Sequence, residues 1–234
     1  MTGYQESAPL GGFITKVERQ ARAQQRYNVF IDDKLAFSVH EDIMIKYRLL
    51  KGAQVESAEM ERILAAEERH KAYLSAVRLL ASRLRSEHEM RSRLKEKEFQ
   101  PDVIEDVISR LRTEGYLNDA LFAEQMAKQR SQSQKKGRHW IKQELKQKGV
   151  PKEHIETALA GVDAETEREA AYALVSRRYK REWEEDPSKA RRKIASFLQR
   201  RGYTLTVVQQ VLGKMPQRSM DDDDLAELDL SEYE

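Results

Sequence analysis

The chain has 234 residues, of which 39% are apolar and 35% charged, with 10 glycines, 5 prolines and no cysteine. That balance describes a helix-rich, heavily solvated protein with thin cores, and it rules out disulfides and thiolate metal sites. No apolar run approaches the roughly twenty residues of a bilayer span, and the opening MTGYQESAPLGGFI lacks the basic and apolar regions of a secretory signal. A soluble, cytoplasmic protein with no membrane partner is expected.

Residues 1–12 hold Gly3, Pro9, Gly11 and Gly12 without periodicity and read as a flexible N-terminus, with order beginning near Phe13. Residues 13–56 read as a small β-rich module. FITKVERQ, RYNVFI and KLAFSV are strand-like, Asp32-Asp33 suits a two-residue hairpin turn, HEDIMIKYRL suits a short helix, and Gln54-Val55 suits a return strand. Residues 57–72 read as a linking helix, with Ser57 as its N-cap and the charged stretch Glu67 to Lys71 as a hinge or a solvent-bridging helix into Tyr73.

Three repeats follow, at 73–119, 120–166 and 167–215. Met90, Leu94, Phe99, Ile104 and Ile108 recur as Ile141, Leu145, Val150, Ile155 and Leu159, and again as Ile194, Leu198, Tyr203, Val208 and Leu212. The intervals are four, five, five and four residues each time, and the copies start 51 and 53 residues apart. Intervals of four keep a residue pair on one helix stripe, while intervals of five carry the chain through a turn. Each templated pair follows a leading helix, near Ala76–Leu84, Leu121–Arg130 and Glu169–Tyr179. Gly149 and Gly202 stand where a left-handed residue ends a helix, Glu98 stands there in the first copy, and Pro101 and Pro151 suit a first helical turn. The expected fold is mainly α, with tandem three-helix repeats in an elongated array after the β-rich module.

The tail, residues 216–234, carries Arg218 against eight acids, a net −7 that leaves +9 on the rest of a chain whose total is +2. It reads as an acidic, disordered solubiliser, or as a nucleic-acid mimic, with Leu225, Leu228 and Leu230, that folds back on basic repeats.

The segment from Glu114 to Val150 resembles the central signature of the RecX family. Tyr116, Leu117, Asn118, Asp119, Phe122 and Ala123 match its first half. Gly137, Arg138, Ile141, Glu144, Leu145, Lys148, Gly149 and Val150 match its second, with valine in place of isoleucine. The likeness extends over roughly 73–215, and residues 13–55 resemble the N-terminal extension of longer members. The resemblance implies a non-catalytic regulator of the RecA recombinase. Such a protein binds the RecA nucleoprotein filament along its groove, suppresses its ATPase and strand exchange, and acts in recombination, DNA repair and the SOS response.

The residues expected to meet that partner, or DNA directly, come from two basic stretches. The first runs from Lys128 to Lys148 and includes Lys128, Arg130, Lys135, Lys136, Arg138, Lys142, Lys146 and Lys148 against Glu144 alone; Trp140 is a stacking candidate or a core residue. The second runs from Arg177 to Arg201, where Arg191, Arg192, Lys193, Arg200 and Arg201 are the less compensated cations, with Arg191, Arg192, Arg200 and Arg201 expected to meet the partner. Tyr116 and Phe122 are expected to pack between repeats, and Asp119 to cap a helix. His40-Glu41 begins no HExxH, because Met44 stands at the second histidine position, and His70, His88, His139 and His154 show no ligand partner at metal-binding spacing. No Gly-rich phosphate loop is present. A monomer without catalytic residue, metal or cofactor is expected, with an autonomous nucleic-acid-binding helical-repeat protein as the rival reading and a scaffold for another acidic protein as a third.

Overall fold

The computed structural model describes residues 11–21 and 25–215; the acidic tail and its two readings lie outside the described residues, as do residues 1–10 of the expected N-terminal segment. The chain divides into two compact units after Asn118. In the first, strands β1 (Gly11–Arg19), β2 (Arg26–Ile31), β3 (Lys34–His40) and β4 (Gln54–Glu56) form one antiparallel sheet in the order β3-β2-β1-β4. Order begins before Phe13, because Gly11 and Gly12 pair with Glu56 and Val55. Asp32 and Asp33 take φ values of 48° and 63°, the two left-handed positions that a two-residue turn needs between right-twisted strands. Ile14, Val29, Ile31, Phe37 and Val39 enter one core with Ile43 of α1 (Glu41–Lys46) and with Met60 and Ile63 of the helix that follows β4.

Helix α2 (Ser57–Ser82) is continuous, so of the two readings of Glu67 to Lys71 the helix into Tyr73 holds and the hinge does not, and the separate helix at Ala76–Leu84 is corrected. Its buried stripe of Met60, Ile63, Glu67, Ala72 and Ala76 runs through the charged stretch, because Glu67 turns inward with the apolar residues. Ser57 is its first helical residue and not its cap; Glu56 holds that position without a side-chain cap bond. Helices α3 (Glu87–Lys95) and α4 (Pro101–Thr113) complete the first unit.

The second unit contains α5 (Asp119–Gln132), α6 (Arg138–Gln147) and α7 (Lys152–Ala160), followed by α8 (Ala164–Arg178), α9 (Lys180–Glu185), α10 (Pro187–Arg200) and α11 (Leu205–Lys214). Pro101 opens α4 as expected, whereas Pro151 sits one place earlier, at the N-cap of α7. Helix α9 exists because Trp183 is buried with Tyr179, Ile194 and Leu198, while its Arg181 and Glu185 pair outside at 2.7 Å.

The threefold template has a local cause at each step. After its first pair, the third residue donates its amide back to the second: Phe99 to the carbonyl of Leu94, Val150 to Leu145 and Tyr203 to Leu198, at 3.4, 3.1 and 3.1 Å. The residue between them is left-handed, with φ of 64° at Glu98, 70° at Gly149 and 86° at Gly202. This is the Schellman ending, and its six-residue reach sets the first interval of five. Copy one therefore closes like the others, although it uses glutamate. The second interval of five spans the next helix start. Ile104, Ile155 and Val208 donate to the N-cap carbonyls of Gln100, Pro151 and Thr204, which places each apolar turn residue just before a cap and its partner four residues into the helix. One side chain thus closes one helix and staples the next. The three copies lie in three separate cores, with Phe99 and Leu159 at the edges of theirs.

Candidate partner-binding surface

The Gly137-Arg138 turn of the second unit joins two repeats from inside. Gly137 and His139 donate their amides to the carbonyls of Arg201 and Gly202, each at 2.9 Å, so the C-terminal carbonyls of α10 receive the first N–H groups of α6. Both sets of groups lack partners within their own helices, and the contact satisfies them mutually. It is also tight. A Cβ on Gly137 would stand 2.3 Å from the backbone of Gly202, and one on Gly202 would stand 2.4 Å from Trp140 Cβ.

Glu167 of α8 fastens the joint. It is only 4% exposed; its Oε1 accepts the amide of Arg138 at 3.0 Å and its Oε2 accepts Arg138 Nε at 2.7 Å, while Arg138 Nη2 donates to the Val162 carbonyl. Arg201 Nη2 donates to the Gln134 carbonyl at 2.8 Å, and Tyr203 Oη donates to the Lys135 carbonyl at 2.9 Å. Burial pushes the Tyr203 phenol up to about 12. The Gln134–Gly137 backbone is therefore pinned by the third repeat and is no loose loop, although the Lys135 and Lys136 side chains remain half-exposed.

These contacts sort the expected binding residues. Arg130 has an internal partner: its Nε and Nη2 hold the two Glu144 oxygens at 2.8 and 2.7 Å, so the cation and the stretch's one acid offset each other. The Arg138 and Arg201 guanidiniums likewise have internal acceptors at the joint between repeats. Trp140 is half-buried against the second repeat's core with Lys136 over its ring at 4.0 Å, which leaves it little face to offer. Lys128 and Lys146 are exposed, and Lys135, Lys136, Lys142 and Lys148 are half-exposed. Lys128 and Lys136 also line a cavity of about 330 Å³ with Ser131, Thr166 and Tyr203.

On α10, Arg191, Arg192 and Arg200 are exposed together with Lys189 and Lys193. At 100° per residue, Lys189, Arg192, Lys193 and Arg200 point away from the buried Ile194 and Leu198, with Arg191 at the flank. Lys189 was not singled out from the sequence, though this periodicity marks it. Tyr116 is 57% exposed, against expectation, while Leu117 and Phe122 are buried in the cores of the first and second units.

Two further groupings were not foreseen. Glu67 and Glu167 stand at apolar-stripe positions, in line with Ile63 and Met60 and with Ala171 and Val175, and that placement was their signal. His40, Asp42 and His70 come together, which corrects the expectation that no histidine has a ligand neighbour. Their separation in sequence hid them.

The fold and surface define a tandem helical-repeat protein with an internally pinned joint and a lysine- and arginine-bearing exterior. Sequence models of the RecX N-terminal domain and of the first, second and third RecX three-helix domains match residues 12–56, 72–111, 118–159 and 165–212. The regulatory protein RecX of Clostridioides difficile is 32% identical over 204 residues, covering 87% of this chain and 96% of that protein. That of Bacillus subtilis is 31% identical over 210 residues, covering 90% and 80%. A crystal structure of regulatory protein RecX superposes with a TM-score of 0.72 at 27% identity, covering 88% of this chain and 100% of that one. The chain belongs to the RecX family of regulatory proteins. Among the described residues no helix is long and apolar enough to cross a membrane.

Proposed function

We propose that this protein regulates RecA by binding the RecA nucleoprotein filament through the exterior of its second unit, and that it inhibits ATP turnover and strand exchange without chemistry of its own. The observation that carries the reading is the division of labour among the cations. Arg130, Arg138 and Arg201 are held by internal acceptors, whereas Lys128, Lys142, Lys146 and the outer face of α10 point to solvent beside a braced joint. A rigid basic surface loses little entropy when it meets phosphates or an acidic protein groove. By bridging neighbouring filament subunits the protein favours one filament state, and the shift equals its differential affinity for the two states.

The test is RecA ATPase on single-stranded DNA with increasing protein. Inhibition is expected, and no inhibition at any stoichiometry defeats the reading. Charge reversal of Lys128, Lys142, Lys146 and Arg192 should weaken inhibition by about tenfold or more while leaving the fold intact, since none of these side chains serves the joint. Reversing Arg138 instead would report on folding. A second reading, direct binding to nucleic acid, is favoured by the same exposed cations; it predicts RecA-independent binding to DNA with a steep salt dependence.

A further inference from the structure

We infer that His40, Asp42 and His70 form a site for a divalent transition-metal ion of zinc type, which clips the N-terminal β-rich module to helix α2. His40 ends β3, Asp42 lies in the first turn of α1, and His70 lies in the middle of α2. One ligand atom from each lies within 4.8 Å of the other two. Asp42 Oδ2 stands 3.5 Å from His40 Nδ1 and 3.5 Å from His70 Nε2. Metal–ligand bonds of roughly 2.0–2.1 Å in a tetrahedral site separate ligand atoms by about 3.4 Å, so two of the three edges already have the required length.

Several further observations point to an ion rather than to ordinary packing. His70 Nε2 is buried and has no hydrogen-bond partner, an unusual state for a group that accepts or donates readily. The imidazole rings of His40 and His70 lie 4.4 Å apart between centroids. Asp42 and His70 both line an open cavity of about 410 Å³, which leaves room for a water or an incoming carboxylate in the fourth position. His40 Nδ1 accepts the Asp42 amide at 3.2 Å as the cap of α1; the ion takes over that lone pair, and the cap bond is exchanged for a metal bond.

Two imidazoles and one carboxylate suit zinc, cobalt or nickel better than calcium or magnesium, which prefer oxygen donors alone. The ion would act beside Glu67, whose Oε2 accepts the His40 amide at 2.8 Å, so both contacts fasten the same strand end to the same helix. An ion that binds the folded chain and not the unfolded one raises its stability by mass action.

The experiment titrates the full chain, without an affinity tag of histidines, with Co(II) and Zn(II). One equivalent of Co(II) giving the intense visible absorption of a tetrahedral site is expected, with Zn(II) displacing it and raising the thermal midpoint. Asp42→Ala and His70→Ala should each weaken the metal by about tenfold or more. Asp42 is exposed, so its variant keeps the fold should His70→Ala fail to fold. A variant with His88, His139 and His154 all changed to alanine should bind as the parent does. Absence of saturable binding, binding that survives Asp42→Ala, or binding lost with the three outlying histidines each overturns the assignment.

Discussion

The two units use a buried glutamate in the same way and differ in what surrounds it. In the first, Glu67 accepts the His40 amide at 2.8 Å and pairs with Arg26 at 2.8 Å, with Lys71 3.8 Å away; its supports come from two strands and its own helix. In the second, one residue supplies everything: Arg138 gives Glu167 both its amide and its guanidinium. The exteriors differ too. Several arginines of the first unit are mated, Arg91 to Glu87 and Glu105, Arg112 to Glu87 and Arg110 to Glu114, whereas α10 carries five exposed cations, four of them on its outer face. Distributed supports make the first unit tolerant, and concentrated ones make the second depend on one turn. That turn belongs to the segment by which the chain resembles its family, so the segment records an internal joint at least as much as a binding face.

Removing the arginine at each joint tests this most sharply. Arg138→Ala leaves Glu167 buried with only an amide against its charge, and a loss of about 3 kcal/mol is expected in urea unfolding followed through the second unit. Arg26→Ala leaves Glu67 with the His40 amide and with Lys71 nearby, and about 1 kcal/mol is expected. Equal losses would break the distinction. Arg138→Lys should recover little, because an ammonium cannot reach Glu167 and the Val162 carbonyl as a planar fork does.

The glycine contact gives the next effect. Gly137→Ala inserts a methyl where the Gly202 backbone stands, at a cost of about 2 kcal/mol, whereas Gly115→Ala in the first unit meets open space and suffers only from its φ of 78°, at about 1 kcal/mol. Denaturation midpoints of the two variants in parallel decide whether steric fit or backbone conformation governs.

Much of this was legible beforehand, for reasons that lie in local chemistry. The four-five-five-four spacing was visible because a Schellman ending and a hydrophobic staple both act within six residues, and both demand an apolar side chain at the shared position. The hairpin at Asp32-Asp33 was visible because short polar residues tolerate left-handed backbone. What escaped was tertiary. Arg130 and Arg138 read as partner-facing cations and Glu67 as part of a charged stretch, and Glu167 drew no notice, because nothing nearby in sequence shows their partners, which lie 14, 29, 27 and 29 residues away. The continuity of α2 stayed one of two readings because Glu67 was counted as polar when its stripe position made it core.

Alkaline titration separates the units by a different property. Tyr203 keeps its proton to about 12 when folded, against 10.0 for an unburied phenol, so its contribution is complete below pH 10 and is lost as the pH rises from 10 to 12. The second unit should therefore lose stability over that window faster than the first. Tyr203→Phe should remove the difference while costing about 1 kcal/mol at neutral pH through the lost bond to the Lys135 carbonyl. Unfolding curves at several pH values, read by hydrogen exchange in each unit, would show it; an unchanged alkaline slope in Tyr203→Phe would assign the effect elsewhere.

The smallest effect concerns the helix stops. Glu98 holds a φ of 64° that costs a side-chain-bearing residue about 1 kcal/mol, while Gly149 holds 70° without that strain. Glu98→Gly relieves the strain but also frees the unfolded chain, so a gain of only about 0.5 kcal/mol is expected. Gly149→Ala incurs the strain, offset in part by a less free unfolded chain, and should cost about 0.5 kcal/mol. The two substitutions exchange the stop chemistry of the first and second repeats, and opposite signs in calorimetry are required if the same Schellman geometry operates in both. A loss in Glu98→Gly would mean that the glutamate side chain contributes something its backbone conformation does not explain, and the first unit's tolerance would then extend to its turns.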